Sequence, residues 1–149
     1  SPNRRCFAVY RRFGTLRALR STLPLSSALD PKYKVHLIGE NCMVKISILY
    51  PNNQGAWFDF RYYTEVHMPR SIELLSSHPE FKGVSVERGV GGGEPNSAPA
   101  FIAMCHFHFK TAESFLQAFI PNAPELQGDI PNYTDIVPII QFNEVLISK

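Results

Sequence analysis

From residue 43 onward the alternation of apolar and polar positions spells out a series of short elements. In Val44-Lys45-Ile46-Ser47-Ile48-Leu49-Tyr50, β-branched residues alternate with polar ones until Pro51-Asn52-Asn53 stops the run, which predicts a strand. Asp59 is placed to cap a helix carrying Phe60, Tyr63, Val66 and His67 in its first part and Ile72, Leu74 and Leu75 in its second. Pro69 falls inside that helix, lacks an amide hydrogen and crowds the carbonyl of Glu65, so a kink or a restarted turn is expected beside His67. Phe81 to Val90 predicts a second strand, and Gly91-Gly92-Gly93-Glu94-Pro95-Asn96 a connection after it. Ala100 to Phe109 predicts a third strand, with Phe101, Ala103, Cys105, Phe107 and Phe109 on one face and Ile102, Met104, His106 and His108 on the other. Thr111 caps a second helix with Ala112, Phe115, Leu116 and Phe119 on one side, expected to end at Pro121 and Pro124. A loop from Glu125 to Val137 then leads into a last strand, Pro138 to Ile147.

The order β-α-β-β-α-β is the split βαβ arrangement, an α+β, ferredoxin-like fold with a four-stranded antiparallel sheet and two helices on one face. The other face is left bare, and its positions read as substantially apolar. A monomer rarely exposes a patch of that size, so a second copy is expected to cover it, two sheets facing each other around a cavity in a twofold dimer.

Composition changes this picture only at the amino end. The 149 residues, 44% hydrophobic and 19% charged, are those of an ordinary globular domain. The formal net charge of +2 hides two opposite parts: residues 1–42 carry eight Lys/Arg against two acids, a net of +6, whereas residues 43–149 carry seven against eleven, a net of −4. The first 42 residues are therefore expected to be a basic leader outside the fold, either a misread start or a transit-like segment. The acidic body has the wrong charge for nucleic acid or an anionic membrane, and no run approaches the roughly 20 apolar residues of a membrane span. Three cysteines without paired spacing point to a reducing, cytoplasmic setting.

Two separated stretches carry a resemblance. Tyr62-Tyr63-Thr64-Glu65-Val66-His67-Met68-Pro69 lies on the first helix, and Asp129-Ile130-Pro131-Asn132-Tyr133-Thr134, followed by Val137-Pro138-Ile139-Ile140-Gln141, precedes the last strand. With Met43-Val44-Lys45 at the head, residues 43 to about 148 resemble the EthD family, small dimeric α/β-barrel proteins linked to ethyl tert-butyl ether degradation. The resemblance implies a homodimer, a small organic ligand and either proton-transfer or oxidation and reduction chemistry, with no cofactor expected. Family members often bear a reductase label, yet Gly89-Val90-Gly91-Gly92-Gly93 joins two strands and opens no helix, so it lacks the anion-binding physics of a nucleotide loop.

Related dimeric α/β-barrel enzymes use a histidine from the first helix, which by that resemblance makes His67 the catalytic candidate. Tyr63 stands one turn earlier on the same face. A neutral imidazole in an apolar cavity can take a proton near neutral pH, and a phenol can donate to a developing oxyanion. His106 and His108 share a strand face two residues apart, a spacing for two metal ligands without an evident third, so they are expected to line the ligand cavity with Met104 rather than hold a metal. Tyr133 is expected at the cavity mouth and Trp57 at a lid or at the start of the helix, while Asp129 and Asn132 read as turn-fixing residues. The same cavity would also suit a non-catalytic accessory protein serving a neighbouring oxygenase.

Overall fold

The computed structural model describes residues 43–148; the basic leader predicted at 1–42 lies outside the described residues. Strand β1 (Val44–Pro51) is followed by α1 (Phe60–Tyr62), a π-helical turn (Tyr63–His67) and α2 (Met68–Ser76), which run on without a break. Then come β2 (Phe81–Arg88), β3 (Phe101–Phe109), α3 (Ala112–Phe119), a 3₁₀ turn (Ile120–Asn122), α4 (Ala123–Gly128), a second 3₁₀ turn (Ile130–Asn132) and β4 (Ile139–Glu144). The strands form one antiparallel sheet in the order β2-β3-β1-β4, which is the split βαβ topology expected from the sequence.

The period-two alternation holds through the sheet. Val44, Ile46 and Tyr50 of β1 and Ala103, Cys105, Phe107 and Phe109 of β3 are buried on the face that meets the helices. Phe115 of α3 packs edge-on against Phe109 and Phe142, each at about 5.5 Å between ring centres (5.5 and 5.6 Å). Met68, Ser71 and Leu75 form the buried stripe of α2 at helical spacing. Each fully buried large side chain here, such as Tyr63, Phe109, Leu75 or Tyr133, removes enough surface from water to contribute roughly 1.5–3 kcal/mol before entropy is counted.

Both helix starts are capped as the sequence indicates. Asp59 Oδ1 accepts from the Tyr62 amide at 3.0 Å. Thr111 and Ser114 form a reciprocal capping box, with side-chain to amide distances of 3.1 and 3.2 Å. The disturbance expected at Pro69 is a π-turn: the Met68 amide reaches back five residues to the Tyr63 carbonyl, and the widened turn accommodates a proline that has no N–H to give.

The second helical region departs from expectation. Pro121 and Pro124 do not end it; each stands at the start of a new turn, where a missing N–H costs nothing, and helical backbone continues to Gly128. The segment expected to be a loop from Glu125 is thus largely α4 and a 3₁₀ turn. The strands are also shorter than predicted, β2 stopping at Arg88, β3 beginning at Phe101 and β4 spanning only Ile139–Glu144.

Candidate functional site

A cavity of about 90 Å³ lies between the sheet and the helices. Ile48 and Tyr50 of β1, Cys105 and Phe107 of β3 and Ile140 of β4 form its floor. The π-turn and α2 supply Tyr63, His67, Met68, Ser71 and Leu75, α3 supplies Phe115 and Phe119, and α4 with the following turns supplies Leu126, Gln127, Ile130 and Tyr133. Its lining contains no lysine, arginine or carboxylate.

One end of this apolar space is polar, and His67 is its centre. The π-turn holds His67 beneath Tyr63, the two rings stacked 5.6 Å apart at 14°, and Ser71 Oγ donates to the His67 carbonyl at 2.8 Å. His67 Nδ1 lies 2.8 Å from Asp129 Oδ2. The second oxygen, Asp129 Oδ1, accepts from the Tyr62 hydroxyl and from Asn132 Nδ2, both at 2.8 Å. On the cavity side, His67 Nε2 lies 3.4 Å from the Tyr133 hydroxyl, which is in turn 2.8 Å from the Tyr50 hydroxyl. Segment 129–135 is fixed against the start of α1: the Asp59 amide donates to the Tyr133 carbonyl at 2.7 Å and Thr134 Oγ1 to the Trp57 carbonyl at 2.7 Å.

The electrostatics of this cluster follow from burial. Desolvation pushes the His67 imidazole below its ordinary value, outweighing the pull of the Asp129 hydrogen bond and charge in the other direction. Burial alone would raise the Asp129 carboxyl, but hydrogen bonds from Asn132, His67 and Tyr62 together hold it below the usual carboxylate range. The pair is therefore a neutral imidazole donating Nδ1–H to a carboxylate, with the Nε2 lone pair free to accept. Burial pushes the Tyr50 phenol up to about 12 and raises the Tyr63 and Tyr133 phenols further, so all three remain protonated donors at neutral pH. The Cys105 thiol is likewise pushed up, to about 12, chiefly by burial, which leaves it without thiolate character.

The other sequence candidates lie elsewhere. By register Met104, His106 and His108 project from the face of the sheet turned away from the described helices, so the single cavity imagined for them together with His67 is corrected: successive strand side chains point to opposite faces, and the sheet itself separates the two sets. Trp57 is 46% exposed, does not line the helix-side cavity and engages residues 134 and 135 through its backbone. Tyr133 is not at a mouth but wholly buried, in ring contact with Tyr50, Phe58, Tyr62, Tyr63 and His67. Among the described residues no group of three His, Cys, Asp or Glu could hold a metal ion.

The far face is also less apolar than the sequence suggested. Leu49, Ile102, Met104 and Ile139 share it with a hydrogen-bonded chain that crosses all four strands. Gln141 Nε2 donates to Asn143 Oδ1, and Asn143 Nδ2 to Ser47 Oγ at 2.9 Å. Ser47 Oγ meets His106 Nδ1 at 2.8 Å, His106 Nε2 meets Glu87 Oε2 at 3.1 Å, and Ser85 Oγ donates to Glu87 Oε1 at 2.8 Å. A carboxylate only accepts, so Nε2 carries the proton and Nδ1 receives the Ser47 hydroxyl. Burial and then the charge of Lys45 lower the His106 imidazole, against the attraction of Glu87, and it too is neutral.

Asp129 and Tyr50 of the helix-side cluster escaped sequence reasoning as site residues. Asp129 read as a turn former, although it opens the second matching stretch, four residues before Tyr133. Tyr50 continues the inward alternation Val44, Ile46, Ile48 and could have been found by following that face to its end.

Comparison with solved structures bears on the family. An EthD-like protein from Ralstonia eutropha JMP134 is 39% identical and superposes with a TM-score of 0.68, the match covering 73% of this chain and 96% of that one. The chain belongs to the EthD family. An ethyl tert-butyl ether (EthD) family protein from Bacillus halodurans C-125 matches at 20% identity and a TM-score of 0.47, over 70% of this chain and 99% of that one. A candidate monooxygenase from Shewanella loihica PV-4 shares the fold at 9% identity and a TM-score of 0.50, over 74% of this chain and all of the other (100%). No family model and no curated protein matches the chain. For this EthD-family chain no helix among the described residues is long and apolar enough to cross a membrane.

Proposed function

We propose that this EthD-family protein binds a small, largely apolar, oxygenated organic molecule in the helix-side cavity and moves a proton on it with His67 as the base. The observation that carries this reading is the orientation of one buried imidazole: Nδ1 is fixed on Asp129 at 2.8 Å, and Nε2 faces the cavity beside Tyr133. A fixed carboxylate partner sets the tautomer and stabilises the imidazolium that forms when Nε2 takes a proton. Tyr63, stacked on the imidazole, restrains the ring, and no bound cofactor is needed for such a step. Deprotonation of this kind also prepares an organic molecule for oxidation, which connects the site to small-molecule catabolism.

The protein acts as a homodimer through the far face of the sheet. Its polar groups are largely paired within one protomer by the Gln141 to Ser85 chain, so a second copy can cover them without stranding unsatisfied donors. Sedimentation of the full chain at micromolar concentration tests this: a dimer is expected, and a monomer overturns it. For the site, His67→Ala is expected to abolish turnover of the source organism's ligand while the melting temperature shows a folded protein. Ligand conversion unaffected by His67→Ala overturns the base assignment; ligand retained by the wild type without conversion favours the accessory-protein reading, which the predominantly apolar cavity wall also suits.

A further inference from the structure

Resting on the reading of His67 as a base, we propose that the cavity selects a small neutral enol or phenol and holds it as the oxyanion, with the Tyr133 hydroxyl, itself backed by the Tyr50 hydroxyl, as the anion's hydrogen-bond donor. The argument begins with what the cavity lacks. No lysine or arginine lines it, so a carboxylate or phosphate arriving already ionised would shed its water and meet no cation. A neutral acid enters without that cost and becomes charged only beside His67.

The donor for the resulting anion is already in line. Because His67 Nδ1–H is committed to Asp129, Nε2 is an acceptor, which orients the Tyr133 O–H toward it and the Tyr50 O–H toward Tyr133. The Tyr133 to Nε2 separation of 3.4 Å is long for an O–H···N hydrogen bond, so an entering hydroxyl displaces it at little cost. In the step itself the ligand O–H bond breaks, an N–H bond forms at Nε2, and the electron pair stays on the ligand oxygen. Tyr133 then turns its freed O–H to that oxygen, backed by Tyr50. Both phenols stay protonated because burial disfavours their anions, so they serve only as donors. A cavity of about 90 Å³ confines the acidic end of the ligand to a single ring or a short branched chain.

The probe is 4-nitrophenol, whose ionisation is visible as colour, with 4-nitroanisole as the same outline lacking the acidic hydrogen. In titrations of the full chain, bound 4-nitrophenol is expected to ionise at lower pH than the free compound, by about one pH unit or a tenfold preference for the anion. Tyr133→Phe and Tyr50→Phe, which keep the ring and hence the packing, are each expected to remove most of that preference, with thermal melting confirming the fold. If 4-nitroanisole binds and 4-nitrophenol binds only as the undissociated phenol, or if neither variant alters its ionisation, this proposal is overturned and the cavity reading stands. If neither probe binds the wild type, both are overturned.

Discussion

The two faces of one sheet each carry a buried, neutral histidine hydrogen-bonded to a carboxylate, and they differ in what the remaining ring nitrogen meets. On the helix side His67 gives Nδ1–H to Asp129 and turns Nε2 to a cavity across a loose 3.4 Å contact. On the far side His106 gives Nε2–H to Glu87, and its Nδ1 is closed by Ser47 at 2.8 Å. The difference is between a group with a vacancy and a group fully occupied. An open nitrogen suits proton transfer, whereas the closed one ties Ser47 of β1 and Glu87 of β2 to β3 across the sheet.

The contrast can be broken most severely at Tyr133, the ring on which the helix-side cluster is built. Tyr133→Ala is expected to cost about 3–5 kcal/mol, the range for emptying a buried aromatic site, and a chemical denaturation midpoint would read it. A loss below about 1 kcal/mol would show that neighbouring rings fill the gap. Next in size, His106→Leu is expected to cost about 1–3 kcal/mol by stranding Ser47 and Glu87 while leaving the helix-side cavity and its ligand affinity unchanged. Any effect on ligand affinity would mean the two faces are coupled through the sheet.

Asp129→Asn separates the faces through pH. Removing the carboxylate that pulls the imidazole upward should lower the His67 value further, moving the acid limb of the activity profile to lower pH and reducing turnover on the order of 10². A purely structural Asp129 would reduce stability and leave the profile in place. The smallest effect is a shared one. Both histidines titrate below their ordinary value in the fold, so between about 6.5 and those lower values the unfolded chain binds protons that the native state refuses. Stability therefore falls as pH drops below about 6.5, and His106→Gln should shallow that fall without removing it, as melting temperatures across the range would show. Asp129 adds a separate loss only as pH falls below 3.8, its ordinary value, because its folded value is depressed.

What the sequence made legible was local. The alternation along β1 and β3 assigns each side chain to a face from neighbours one and two positions away, and Asp59 and Thr111 announce their helices within three residues. Placing His67 at a site needed the family motif as well as the helical pattern. What stayed hidden depends on segments far apart in the chain: Asp129 meets His67 from 62 positions away and Tyr133 meets Tyr50 from 83. Pro121 and Pro124 misled for a related reason, because the residue type that stops a helix at one position starts the next turn at another. The apolar positions that the alternation assigns to the far face made it look sticky, since alternation does not reveal that Ser47, Ser85, Glu87, His106, Gln141 and Asn143 between them hydrogen-bond to one another.

The strand order β2-β3-β1-β4 has a consequence in time. Strand β1, the first of the described elements to leave the ribosome, occupies an interior place in the sheet, and Ile48 waits for Cys105, 57 residues on, and Ile140, 92 residues on. Closing such long loops is paid for before any pairing rewards it, so the sheet forms late and nearly all at once. Until β4 has been synthesised, one edge of β1 remains unpaired, a template for another nascent chain and a natural point of engagement for a chaperone.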